Sequence, residues 1–282
     1  MIKKNPMQFK AFIKKIAAEK KISAQLVLQN YMLERLLERI SLSKFTNNFI
    51  LKGGFLISVI LGLDTRATLD LDVTVKGFTL SNETIQKIFS EICSIKLDDN
   101  IFFEVLNVSD IRENDDYPGS RVALKANYEN ISVPLSVDVT TGDIITPSEI
   151  QYSYSLTFED RTIKILAYNV ETILAEKIET VLSRNIANTR IRDFYDIHIL
   201  YSLRETECSI DTLKQALKRT TEKRGSIKIL ENYADIIKEL RNNQQLQNFW
   251  QRYQKNFDYA KDILFQETCA SILNIMNKIS KL

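Results

Sequence analysis

Apolar side chains recur at helical spacing over residues 6–40, which predicts two helices broken near Lys21-Ile22-Ser23, with Ser23 as an N-cap. "NFILKGG" is then a short apolar element stopped by glycines, and "FLISVILGL" a buried helix. "TLDLDVTVKG" alternates and is rich in β-branched residues, the signature of a strand. Ser81 is placed to cap a helix that runs to about Ile95. From 101 to 168 the pattern turns to strands: "IFFEVLNVS", "SRVALKANYE", "ISVPLSVDVTT" and a hairpin in "YSLTFEDRTIKILAY". Beyond Asn169, itself an N-cap residue, the spacing is helical almost throughout, most clearly in "NVETILAEKIETVLSR". These elements predict an α+β chain in two parts. Residues 1–168 form an α/β domain with a mixed sheet led by N-terminal helices, and 169–282 a helical domain.

Composition narrows the class without naming a function. Hydrophobic residues make up 44% and charged residues 26% of 282 positions, as in an ordinary globular protein with ample length for a core. The net charge of +2 does not announce a nucleic-acid binder. Two basic runs, residues 1–21 and Lys214–Arg224, suit either a polyanion or a solvated helix face. Three widely separated cysteines, Cys93, Cys208 and Cys269, fit neither a disulfide framework nor zinc-ligand spacing and suit a reducing compartment. With no apolar run of membrane-spanning length and no signal-peptide pattern, a soluble cytoplasmic protein without membrane contact is expected.

The chemistry concentrates in "ILKGGFLISVILGLDTRATLDLDVTVK", residues 50–76. Two aspartates one residue apart on a strand project from one face about 7 Å apart, with Leu69, Leu71 and Val73 turned to the core. Such carboxylates repel each other unless a cation sits between them, and hard divalent ions such as Mg²⁺ prefer carboxylate oxygens. A solvated edge strand carrying two acids is the alternative, and a bare D-x-D favours it. Gly53-Gly54 ahead of a helical pattern would let a phosphate approach backbone N–H groups, although a tight turn explains the pair equally well. Asp138 interrupts the apolar strand "PLSVDVTTGD" and becomes a third metal carboxylate if that strand lies beside the first. Asp193 and Asp196, spaced i,i+3, share a helix face that Lys177 of the preceding helix could reach. The only histidine, His198, sits between isoleucines and reads as a packing residue. Trp250, Tyr253 and Phe257 at helical spacing also read as core.

Taken together, K-G-G, T-x-D-x-D, A-E-K-I-E and R-x-R-D-x-x-D-I, in this order across residues 50–200, resemble the AbiEii family. These are the nucleotidyltransferase-like toxins of the AbiE abortive-infection toxin–antitoxin systems, related to the mycobacterial MenT toxins. The resemblance implies a DNA polymerase β-like nucleotidyltransferase fold with an added helical domain. It implies that Gly53 and Gly54 seat the triphosphate and that Asp70 and Asp72 hold Mg²⁺. Lys177 and Asp193 complete the active site, with Asp196 the alternative carboxylate. Many nucleotidyltransferases have Gly-Ser where this chain has Gly53-Gly54. Thr68 is then the substitute hydroxyl, and Arg66 a further nucleotide-binding cation.

The implied reaction is in-line attack of a hydroxyl on the α-phosphate of an NTP, releasing pyrophosphate. The expected acceptor is RNA, with the tRNA 3′ end foremost, so that transfer arrests growth unless a cognate antitoxin intervenes, by direct binding or otherwise. Two other readings remain open at the level of sequence. One is transfer to a small molecule, as antibiotic nucleotidyltransferases perform it, and the other is an NTP-binding module without turnover.

Overall fold

The computed structural model describes residues 5–66, 68–111, 119–156 and 158–281. Met1–Lys4 of the basic N-terminal run and Thr157 of the expected hairpin lie outside the described residues. The chain divides into two compact units, Met1–Asp143 with Ile150–Ala167, and Ile144–Glu149 with Tyr168–Leu282.

The first unit opens with α1 (Pro6–Lys20) and α2 (Ala24–Leu42). Lys21 ends α1 in the left-handed conformation, and the Ser23 hydroxyl accepts from the Leu26 N–H to start α2. Then follow β1 (Phe49–Lys52), α3 (Gly53–Leu61), β2 (Leu71–Val75), α4 (Asn82–Ser94), β3 (Ile101–Ile111), β4 (Gly119–Tyr128), β5 (Ile131–Thr141), β6 (Ile150–Ser155) and β7 (Thr162–Ala167). The seven strands form one sheet in the order β3-β4-β5-β2-β1-β7-β6. Its β2–β5 and β1–β7 pairs are parallel and the rest antiparallel. The sheet is therefore mixed, as the α+β reading requires.

α2 is buried nearly all round, although it carries Glu34, Arg35, Glu38 and Arg39. Burial of unpaired charge would cost several kcal/mol per ion, so each is paired. Arg35 bridges Glu34 and Glu38 at 2.9 Å and Glu159 at 3.2 Å. Arg39 grips Asp99 through two hydrogen bonds of 2.8 and 2.9 Å and donates to the Ile101 carbonyl at 2.8 Å. This ionic ladder ties α2 to the loop before β3 and to the β6–β7 turn.

The second unit comprises α5 (Val170–Arg184), α6 (Ile191–Arg204), α7 (Ile210–Lys223), α8 (Ile229–Asn242), α9 (Gln244–Asn256) and α10 (Phe265–Ser280). Asn169 caps α5 by accepting from the Thr172 N–H at 2.8 Å, and its side-chain amide donates to the Thr146 carbonyl at 2.8 Å. That bond holds the Ile144–Glu149 segment within this unit. Trp250, Tyr253, Phe257, Tyr195, Tyr259 and Phe265 form an aromatic core, and Trp250 donates to the Ile263 carbonyl at 3.0 Å. The packing reading of Trp250 is thereby met.

Candidate active site

The turn from β1 into α3 fixes the first part of the site. Gly53 has φ +65°, and a Cβ there would collide with the Asp72 carboxylate. A Cβ on Gly54 would lie 2.9 Å from an Arg66 guanidinium nitrogen and 3.0 Å from the Thr68 hydroxyl. Gly53 is thus required by both close approach and backbone, whereas a side chain at Gly54 would press on Arg66 and Thr68. The Gly54 N–H, at the α3 N-terminus, donates to Asp72 Oδ2 at 3.3 Å. An anion sits where the helix dipole favours one.

β2 sets the second part. The alternating pattern extends the strand through Thr68–Asp70, but β2 begins at Leu71. Asn30 and Gln29 of α2 explain the difference. Their side-chain amides donate to the carbonyls of Thr68 at 2.8 Å and Leu69 at 2.9 Å, taking acceptors that a strand neighbour would otherwise use. Leu69, expected in the core, is 46% exposed, whereas Leu71 and Val73 are buried. Asp70 is exposed just ahead of β2, and Asp72 is half-buried within it. Arg66 and Thr68 are both buried against this turn.

Strand register adds the third carboxylate. Asp72 stands level with Asp138 on β5, so the condition set for Asp138 is met. Its oxygens are not open, however. Arg121 of β4 donates to both, from Nε and Nη2, at 2.7 Å each. Among the described residues, no group of three or more His, Cys, Asp or Glu side chains is gathered as a metal site. On the other side, Lys52 of β1 stands level with Asp72, and its ammonium donates to Thr140 Oγ1 at 2.6 Å and to Asp143.

Burial pushes the Asp72 carboxyl above its ordinary pKa, and the charges of Asp138 and Asp70 push it further. The Lys52 charge and the Gly54 N–H work against that rise. A buried carboxylate with two others close by is a donor set suited in kind to a hard divalent cation. Here protein cations take that part: Arg121, with its own pKa raised chiefly by its hydrogen bond to Asp138, and Lys52.

The second unit builds its own charged cluster. Lys177 of α5 reaches across to α6, with its ammonium 2.5 Å from Asp193 Oδ1 and 2.8 Å from Asp196 Oδ2. Asp196 is fully buried and Asp193 nearly so. Both candidate carboxylates therefore hold the lysine. Arg192 lies over the Phe257 ring at 5.2 Å. His198 is half-buried with Nδ1 2.7 Å from Ser271 Oγ, and burial lowers its pKa. In the basic run, Arg224 pairs with Glu179 and, at 3.5 Å, Glu176, and Lys218 lies 3.8 Å from Glu222.

A family model for nucleotidyl transferase AbiEii toxins of type IV toxin–antitoxin systems matches residues 35–271. The chain belongs to the AbiEii family. Two crystal structures from Helicobacter pylori resemble this AbiEii chain, one of a protein described as a nucleotidyltransferase and one of JHP933. The first has 16% identity, a TM-score of 0.51 and coverage of 92% of this chain and 98% of that one. The second has 16% identity, a TM-score of 0.50 and coverage of 92% and 95%. At that identity the likeness concerns the fold, which is the α+β nucleotidyltransferase architecture expected from the motifs. Among curated proteins, none matches the chain significantly. Among its described residues, no helix is long and apolar enough to cross a membrane.

Arg121, Thr140 and Asp143 carry no sequence signal, and Lys52 enters the sequence only as the K of K-G-G, with no role assigned to it. Lys52 adjoins the glycine pair and was within reach of a sequence reading. Arg121 acquires its place only through the β4–β5 register, which no local pattern encodes.

Proposed function

We propose that this AbiEii toxin transfers a nucleotide from an NTP to an RNA acceptor, the tRNA 3′ end, in an Mg²⁺-dependent reaction that arrests growth in the cytoplasm until a cognate antitoxin opposes it. The observation that carries this reading is the Asp72 carboxylate. It lies half-buried beside Asp138, at the N-terminus of a helix opened by two glycines, of which Gly53 leaves no room for a side chain.

Asp70 and Asp72 are the residues assigned to hold the metal, with Asp138 joining when Arg121 lets it go. Mg²⁺ bound there would neutralise triphosphate charge and lower the pKa of the attacking hydroxyl. Gly53 and Gly54 let phosphate approach the backbone N–H groups of α3, and Arg66 and Thr68, packed against Gly54, supply a guanidinium and a hydroxyl to the nucleotide. Lys177 is assigned to charge developing on the departing pyrophosphate, the bond between the α- and β-phosphates being the one broken. Asp193 and Asp196 orient that lysine, and Asp193, the less buried, is the one assigned to the acceptor hydroxyl.

Incubation with labelled NTPs, Mg²⁺, total RNA and a metabolite extract tests the assignment. Label in tRNA is the expected result. Label confined to small metabolites would make the protein a small-molecule transferase, and nucleotide protection without transfer would make it a binding module.

A further inference from the structure

Four charged residues stand in one row across four neighbouring strands. Arg121 on β4 is opposite Asp138 on β5, Asp138 is level with Asp72 on β2, and Asp72 is opposite Lys52 on β1. Directly paired residues of adjacent strands project from the same face of a sheet. The row therefore reads cation, carboxylate, carboxylate, cation on a single face. The two cations are held differently. Lys52 is only 12% exposed in its side chain and is anchored by Asp143. Arg121 is 52% exposed in its side chain, and among the described residues its side-chain hydrogen bonds go to the Asp138 carboxylate.

We propose that Arg121 is the resident counter-ion of the metal site, holding Asp138 in the metal-free protein and giving way to the divalent cation when it binds. This rests on the metal reading of Asp72 and Asp138. A guanidinium bonded to both oxygens of a carboxylate occupies its lone pairs on that side, so Arg121 and a metal compete for Asp138. Removal of Arg121 with no metal in its place would leave Asp138 beside Asp72 with no cation hydrogen-bonded to it, and the two carboxylates would repel each other. The protein thus keeps the metal-free site folded at the expense of metal affinity. An exposed arginine on a long stem can swing into water without disturbing the sheet, which suits it to repeated release. A surface ion pair with no such role would contribute little, and its loss would leave metal binding alone.

Calorimetric titration of the nucleotide-free full chain with Mn²⁺ tests the proposal, using wild type, Arg121→Gln, Arg121→Lys and Asp72→Asn. Arg121→Gln should bind Mn²⁺ roughly fivefold tighter, the size expected for loss of one half-exposed competing charge. Arg121→Lys, which keeps the charge but not the two-pronged bond, should fall between it and wild type. Unchanged or weaker binding by a folded Arg121→Gln would overturn the counter-ion role. If Asp72→Asn still lost Mn²⁺ affinity in that case, the metal reading would stand and only the role of Arg121 would fall. Absence of Mn²⁺ binding by wild type would overturn both.

Discussion

Gly53 and Asp72 define each other. The glycine's φ of +65° and the carboxylate packed against its Cα leave no room for a methyl group. Gly53→Ala should cost about 1–3 kcal/mol from the left-handed strain alone and displace Asp72, which denaturant unfolding and a transfer assay would both register. Asp72→Asn separates stability from function. Its carboxyl pKa is raised in the folded protein, chiefly by burial, so the folded state favours the protonated form. Stability from this group is therefore full below the unfolded pKa of about 4 and declines as pH rises through the higher folded value. Without metal, Asp72→Asn should melt higher than wild type at neutral pH and show less of that decline, while transfer falls on the order of a hundredfold or more. A melting curve against pH reads the first effect and labelled NTP the second.

At the scale of elements, α2 and the α5–α6 pair depend on buried ions. Arg39→Ala would leave Asp99 buried without its two-pronged partner, a loss of about 3–5 kcal/mol that urea unfolding should reveal. Lys177→Ala would leave Asp193 and Asp196 facing each other with Asp196 wholly buried. It should lose a similar amount of stability, and Lys177→Arg should recover part of it. The helix boundaries were legible because caps are local: Ser23, Ser81 and Asn169 each bond a backbone N–H three residues on. The start of β2 was not legible. The carbonyls of Thr68 and Leu69 are claimed by Asn30 and Gln29, residues about forty positions away, and alternation in the sequence carries no trace of that. The ladder on α2 was hidden for the same reason, since Glu and Arg on a helix ordinarily mark a solvated face.

For the whole molecule, four short motifs placed the chain in its family because their order and spacing carry more than any one alone. The family match over residues 35–271 bears out that resemblance and the α+β fold with it. Candidate chemistry was legible where it is local, as in the glycine pair and D-x-D. It was illegible where register assembles it, as in the Arg121–Asp138–Asp72–Lys52 row. If the first unit binds Mg²⁺ in its native state only, Mg²⁺ at a hundred times its Kd should stabilise that unit by about 2.7 kcal/mol by mass action. Chelation by EDTA should return the melting temperature to its metal-free value.

The most direct test of the central claim measures label transferred from α-phosphate-labelled NTPs to purified tRNA, by wild type and by folded Asp72→Asn, with Mg²⁺ and with EDTA. Label on tRNA from wild type with Mg²⁺ alone is the predicted result. Transfer that persists in EDTA, or in the Asp72→Asn protein at the wild-type rate, would contradict it.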